Sequence, residues 1–265
     1  MQLANKVAVI HGGGGAIGSA VARAFAREGA HVFLAGRTRE RLQRVADDIT
    51  ASGGRADIAV VDALDEVAVR SHVDAVAAQA GRIDIALNAL GITHVQGPPF
   101  LELSLQDFEH PVNAYARTNF ITAQACARWM VKQGAGVVLT LSTPGARMTG
   151  QGFLGNGTSS ASIEAFSRLI AGELGAAGVR VVCLRPHAIP EAVPLSHTRE
   201  VFQGFADRSG TTIEAMLAEH ARNGTLLQRF PTLDQVASAA VFAASDAGGA
   251  MTGTVLNLTC GALVD

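Results

Sequence analysis

Aromatic and charged residues are both in short supply. Of 265 residues, one is tyrosine and one is tryptophan, and the charged types make up 17%. Any phenol chemistry therefore rests on Tyr115 alone. The formal charge of −2 excludes the basic bias of a nucleic-acid or membrane-surface binder. The three cysteines, Cys126, Cys183 and Cys260, are too few, too scattered and the wrong parity for a disulfide framework or a thiolate metal site. Buried free thiols in a reducing compartment are expected, and a metal is not. No run reaches the ~18 unbroken apolar residues of a membrane span. The N-terminus (MQLANKVAVI) enters a strand pattern at once, without the cationic and long apolar regions of a signal peptide. The expected location is cytoplasmic.

What the chain has in quantity is apolar side chain, 48%, and glycine, 29 residues. Sheets flanked by helices often run to about 250 residues as one unit. No linker or composition break divides the chain, so residues 1–265 read as one domain. A chain of this size buries roughly 75% of its unfolded surface and needs no staple.

Short apolar runs alternate with longer amphipathic ones. Strands are predicted at Lys6–Ile10, His31–Ala35, Ala56–Val61, Ile83–Leu87, Gly136–Leu141, Val179–Leu184 and Gly253–Leu258. Helices are predicted at Ala16–Glu28, Arg39–Ser52, Glu66–Ala80, Ser159–Ala177 and Leu233–Ala244, with one or two more between Leu105 and Gln133. This alternation predicts the α/β class: a doubly wound, Rossmann-type parallel sheet of about seven strands, with helices on both faces. The irregular stretch at about 187–231, long and proline-marked at its start, reads as a lid or binding loop.

The chemistry-bearing signal lies between the first strand and first helix. His11 is followed by Gly12, Gly13, Gly14 and Gly15, then Ala16, Ile17 and Gly18. Glycine allows the backbone to approach a pyrophosphate, and a helix N-terminus offers it free N–H groups. In a strand–loop–helix context this string points to dinucleotide binding. The second strand ends at Ala35-Gly36-Arg37, where many such folds carry an acid for the ribose 2′-hydroxyl. Arg37 instead supplies a guanidinium for a 2′-phosphate. NADP(H) is therefore expected ahead of NAD(H), which stays possible. The plainer reading of Arg37 is a solvated surface charge.

Along nearly its whole length the sequence resembles the short-chain dehydrogenase/reductase family. His11–Gly18 looks like the family's TGxxxGxG loop, with His11 for Thr and Ala16 for Gly. Asp62, with Ala63 after it, stands where the family contacts adenine. Asn88-Ala89-Leu90-Gly91 looks like a variant NNAG. Pro186-His187-Ala188-Ile189 stands where the family has PG and an apolar residue beside the nicotinamide. The resemblance implies the glycine loop, Asp62, Ala63, Asn88, Gly91, Pro186 and Ile189 as cofactor contacts, and a homotetramer or homodimer paired through the long helices near 105–133 and 158–177.

The catalytic positions depart from the family. Its Ser, Tyr and Lys positions fall on Thr143, Asn156 and Ser160, and no Tyr or Lys occurs between Ser142 and Val181. Asn156 does not titrate and Ser160 carries no charge. A positioned general acid contributes about 10²–10⁴-fold, so another group is needed for reductase chemistry. Tyr115, at the family's active-site Asn position, is one candidate, and His94 and His187 are others. Each has a plainer reading, as a core tyrosine or a loop histidine. The favoured function is an NADP(H)-dependent oxidoreductase of a small carbonyl or alcohol with an altered proton relay. The alternatives are a non-catalytic dinucleotide-binding sensor or scaffold, and a non-redox lyase or isomerase on the same fold.

Overall fold

Seven short apolar runs become strands: β1 (Val7–His11), β2 (His31–Gly36), β3 (Arg55–Val60), β4 (Ile85–Asn88), β5 (Gly136–Leu141), β6 (Val179–Pro186) and β7 (Thr254–Leu258). The computed structural model describes residues 1–264. All strands pair in parallel, in the order β3-β2-β1-β4-β5-β6-β7. Helices α1 (Ala16–Arg27), α2 (Arg39–Ala51), α3 (Glu66–Ala80), α4 (Leu105–Gln133), α5 (Leu154–Leu174) and α8 (Leu233–Ala244) form the crossovers. Between β6 and α8 lie a 3-10 helix at Pro190–Leu195, α6 (Thr198–Arg208) and α7 (Ile213–Gly224).

Successive strand residues face opposite sides of the sheet, and each side has its own core. Ala8, Ile10, Val32, Leu34 and Val182 pack against Phe25 of α1, Ile49 of α2 and Val241 of α8. Val7, Val9, Phe33, Val138 and Val181 pack against Val73 of α3, Met130 of α4 and Ala171 of α5. Burial on both faces is why these strands are continuously apolar instead of alternating.

One helix starts earlier than expected, and the stretch left open as one or two helices is resolved. The stretch from Leu105 is one helix of 29 residues that tolerates Pro111. Its end is marked by Gly134 in the left-handed conformation (φ 70°). Helix α5 begins at Leu154, five residues before the predicted start at Ser159. Gly155 and Gly157 look like loop signals, but they are contact residues. A β-carbon on Gly155 would stand 3.1 Å from the Pro111 ring, and one on Gly157 would stand 2.9 Å from the Gly145 carbonyl. Cys126 and Cys183 are buried free thiols as expected, whereas Cys260 is half-buried. Among the described residues no helix is long and apolar enough to cross a membrane, and no cluster of three or more metal-ligating side chains occurs.

Candidate dinucleotide and proton-transfer site

In the sheet, β1 lies between β2 and β4, so the chain leaves it in opposite directions and opens a crevice at the carboxyl ends of the strands. The glycine loop and the loop after β4 meet there. A β-carbon on Gly12, whose φ is +83°, would lie 2.5 Å from the Ala89 carbonyl oxygen, and one on Gly18 would lie 2.2 Å from that of Gly12. Only glycine fits either position. Helix α1 opens at Gly15–Ala16 with no side-chain cap and no acid in its first turn. Its leading N–H groups, around Ala16, Ile17 and Gly18, are thus left for an anion. Gly14 lies against α2, and its β-carbon would be 3.0 Å from Arg41 Cβ.

The other predicted contacts surround this crevice. Arg37 is exposed just past β2. Asp62 Oδ1 accepts from the Leu64 N–H at 3.0 Å, and Ala63 is buried beside it. Asn88 is buried, donating to Thr122 Oγ1 at 3.1 Å and accepting from Leu90 N–H at 3.2 Å, which fixes the turn leading to Gly91. Pro186 ends β6 opposite Leu258, and Ile189 is buried between α1 and α8. The glycine cradle and bare helix end fit a pyrophosphate. His11 turns away from the loop into the core, where its ring meets His72 edge-on at 6.2 Å. Burial, then His72, lowers its pKa to about 3.

Thr143, Asn156 and Ser160 converge. Asn156 and Ser160 are four residues apart on α5 and therefore share a face, and Thr143 lies two residues past the end of β5, leading into the turn at Pro144–Ala146. Thr143 Oγ1 is 3.0 Å from Asn156 Oδ1 and 2.8 Å from Ser160 Oγ. The Asn156 carbonyl only accepts, so the single Thr143 proton goes to it and Ser160 donates to Thr143. The Asn156 amide nitrogen lies 3.4 Å from His94 Nε2, and the Gln96 amide nitrogen lies 2.9 Å from the same atom. His94 Nδ1 stands 2.7 Å from the Ile92 carbonyl. That carbonyl accepts the Nδ1 proton, which leaves Nε2 unprotonated, accepting from the Gln96 and Asn156 amides at the end of a directed chain from Ser160. Burial lowers the His94 pKa, partly opposed by the bond to Ile92, with His110 lowering it further. The ring is neutral near pH 7.

Tyr115 does not join this chain. Its oxygen accepts the Ile92 N–H at 3.2 Å, and burial pushes its pKa above the ordinary 10.0. Ile92 is thus held by Tyr115 on one side and by His94 on the other. His187 faces α7 instead. Its ring lies 5.0 Å from His220 and 4.7 Å from Phe230, and its Nδ1 accepts from Ala188 N–H at 2.6 Å. Burial and His220 lower its pKa to about 4.

Three groups at the site escaped sequence reasoning. Gln96 fixes His94. His197, which opens α6, lays its ring against Gly91 and stands 6.5 Å from the His94 ring. Buried Arg185 reaches Glu164 through two nitrogens at 2.7 and 2.9 Å, and Ser142 Oγ donates to Glu164 at 2.8 Å. A charged residue inside the apolar strand run VVCLRP was the available signal for that pair. The position of Glu164, one turn beyond Ser160, was a second.

A family model described as enoyl-(acyl carrier protein) reductase matches residues 14–262. The chain belongs to the short-chain dehydrogenase/reductase family. D-threitol dehydrogenase of Mycolicibacterium smegmatis is 28% identical over 255 residues, covering 96% of this chain and 92% of that protein. A short-chain dehydrogenase from Burkholderia cenocepacia in complex with NADP superposes with a TM-score of 0.82 at 27% identity, covering 99% of both chains. A 7α-hydroxysteroid dehydrogenase complexed with NADH and 7-oxo glycochenodeoxycholic acid gives 0.82 at 26%, covering 98% of this chain and 95% of that one.

Proposed function

We propose that this protein is an NADP(H)-dependent oxidoreductase interconverting a small alcohol and its carbonyl, with His94 as the proton carrier. The observation that carries this is the directed hydrogen-bond chain ending on the unprotonated Nε2 of His94. Asn156 stands where the family resemblance puts tyrosine and links that nitrogen to Thr143. The glycine cradle and the NADP- and NADH-bound neighbours support a nicotinamide dinucleotide, and Gly36 with the exposed Arg37 favours the 2′-phosphate form. The dinucleotide would supply the hydride acceptor and donor. The residues of this chain do the rest. Thr143 and Ser160 orient the substrate oxygen, and His94 takes the hydroxyl proton on oxidation or returns it on reduction. The segment at about 187–231 covers the site as a lid, with His197 at its inner edge. Tyr115 is a positioning residue that holds Ile92 and, through it, His94.

The test begins with titrations of NADPH and NADH, followed by an alcohol and carbonyl screen. His94→Gln is expected to lower kcat by about 10²–10⁴-fold, the usual contribution of a positioned acid or base, while leaving NADPH affinity intact. Full activity in that variant removes His94 from the relay. Tight NADPH binding with no turnover of any substrate supports a sensor or scaffold instead. That second reading has one observation in its favour: two amide groups already occupy the His94 lone pair.

A further inference from the structure

Of the 12 residues of α7 only Ile213, at its first position, is buried. Two turns further on, His220 meets two rings of the chain. One is His187, in the loop after β6, at 5.0 Å and nearly perpendicular. The other is Phe230, ahead of α8, at 5.8 Å. His187 and Phe230 are themselves 4.7 Å apart, so the three rings close on one another. A β-carbon on Gly224 would stand 2.8 Å from His220 Cδ2, so glycine at the helix end leaves the ring its place. His187 Nδ1 accepts the Ala188 N–H at 2.6 Å, which puts the proton of the neutral ring on Nε2. That nitrogen is buried and has no hydrogen-bond partner. The charged groups nearby are engaged elsewhere or face away. Arg185 holds Glu164, Glu191 accepts from Leu233 N–H, and Arg229 donates to the Phe230 carbonyl and to Gln235. On α7, Glu219 and Arg222 are exposed, and the positions a turn away from His220 are Met216, Leu217, Asn223 and Gly224. Burial and then His220 lower the His187 pKa to about 4, and burial lowers that of His220.

We propose that the contact of His187, His220 and Phe230 is a proton-operated latch, which holds α7 against the end of β6 while both imidazoles are neutral and releases it when they are protonated. The proposal rests on the reading of 187–231 as a lid and is independent of the redox chemistry. In the closed form a second proton on His187 would have to displace the Ala188 N–H, donor against donor. Two protonated rings would stand 5.0 Å apart with no carboxylate paired to either among the described residues. Released into water, both histidines titrate near 6.5, so the open form binds more protons than the closed one. Lowering the pH through 6.5 therefore favours opening. The opening constant rises by up to about tenfold per pH unit for each histidine, until the closed-form pKa is reached. Little apolar burial opposes this, because Ile213 is the only buried residue of α7. The latch also reaches toward the dinucleotide crevice. Ile189, two residues past His187, packs with Ala16 at the start of α1.

Hydrogen exchange of the α7 amides, corrected for the intrinsic rate and referred to α8, tests this between pH 7 and 5. Protection of α7 is expected to fall at least about tenfold over that range while α8 changes by less than about twofold. His220→Phe keeps a ring in place but cannot titrate, and should leave α7 protected at pH 7 with at most about half the parent's slope against pH. His220→Lys carries a charge throughout, and should lower α7 protection by about tenfold already at pH 7. Protection of α7 that is level with pH, that falls only in step with α8, or that keeps the parent's slope in His220→Phe overturns the latch. So does a His220→Lys chain as protected at pH 7 as the parent. Acid release of α7 with the same NADPH affinity in both variants upholds the latch and removes the reading of this segment as a lid.

Discussion

At the scale of single residues, His94 differs from the other histidines in having a lone pair directed at the site. Its pKa is depressed by burial below the ordinary 6.5, so the neutral, proton-accepting form persists into mildly acidic solution. Alcohol oxidation should therefore stay level on lowering the pH through 6.5 and fall only below it, and a pH profile of kcat/KM checks this. A limb at or above 6.5 would contradict the assignment. Glu164 and Arg185 illustrate a different constraint. Arg185 has a side chain 1% exposed, against 14% for Glu164. Removing one partner of such a pair strands the other charge, typically at about 3–5 kcal/mol. Glu164→Leu should lower the denaturant midpoint accordingly. The sequence placed Thr143, Asn156 and Ser160 by family alignment. It left open which of Tyr115, His94 and His187 approaches them, because side-chain direction in the loop after β4 depends on what Ile92, Tyr115 and Gln96 do in space.

At the scale of elements, the glycine loop and α1 act together. Gly18→Val would drive a side chain into the Gly12 carbonyl, since even a β-carbon there comes within 2.2 Å. Separating the loop from the helix should weaken NADPH binding by more than tenfold in a fluorescence titration. Arg37→Ala tests the 2′-phosphate assignment more cleanly, because Arg37 is exposed. A charge-assisted hydrogen bond contributes about 1.5–3 kcal/mol, so NADPH affinity should fall about tenfold or more while NADH affinity is unchanged. Equal loss for both dinucleotides would mean that Arg37 does not read the phosphate. Most helices and all seven strands were legible as periodic or continuous apolar patterns. The start of α5 was not, because Gly155 and Gly157 are there to let α4 and the Thr143–Ala146 turn come close. No local pattern distinguishes such glycines from loop glycines.

At the scale of the whole molecule, neutral histidines are built into several contacts at once. His11 has a pKa near 3, and His187 and His197 near 4. All three lie below the unfolded value of 6.5, so the unfolded chain binds more protons as pH falls. Their contribution to stability is complete above 6.5 and is lost as pH drops toward the folded values, by up to about 1.4 kcal/mol per pH unit for each. Denaturant melts from pH 7 to 4.5 should show this slope, and His11→Leu should flatten it. An unaltered slope in that variant would place the acid sensitivity elsewhere. The whole molecule also shows exposed apolar side chains on α4 and α5, Phe120 at 52% and Leu169 at 61%.

The sequence alone determined the sheet, its parallel sense and the position of the glycine loop. Those features follow from apolar period and from glycine's backbone freedom, both of which act over a few residues. Tertiary structure alone decided that Asn156 and His94, 62 residues apart, share a hydrogen bond, that Tyr115 serves the backbone, and that His187 and His220 meet ring to ring. These are contacts between loops and helices brought together by packing, and no local periodicity encodes them.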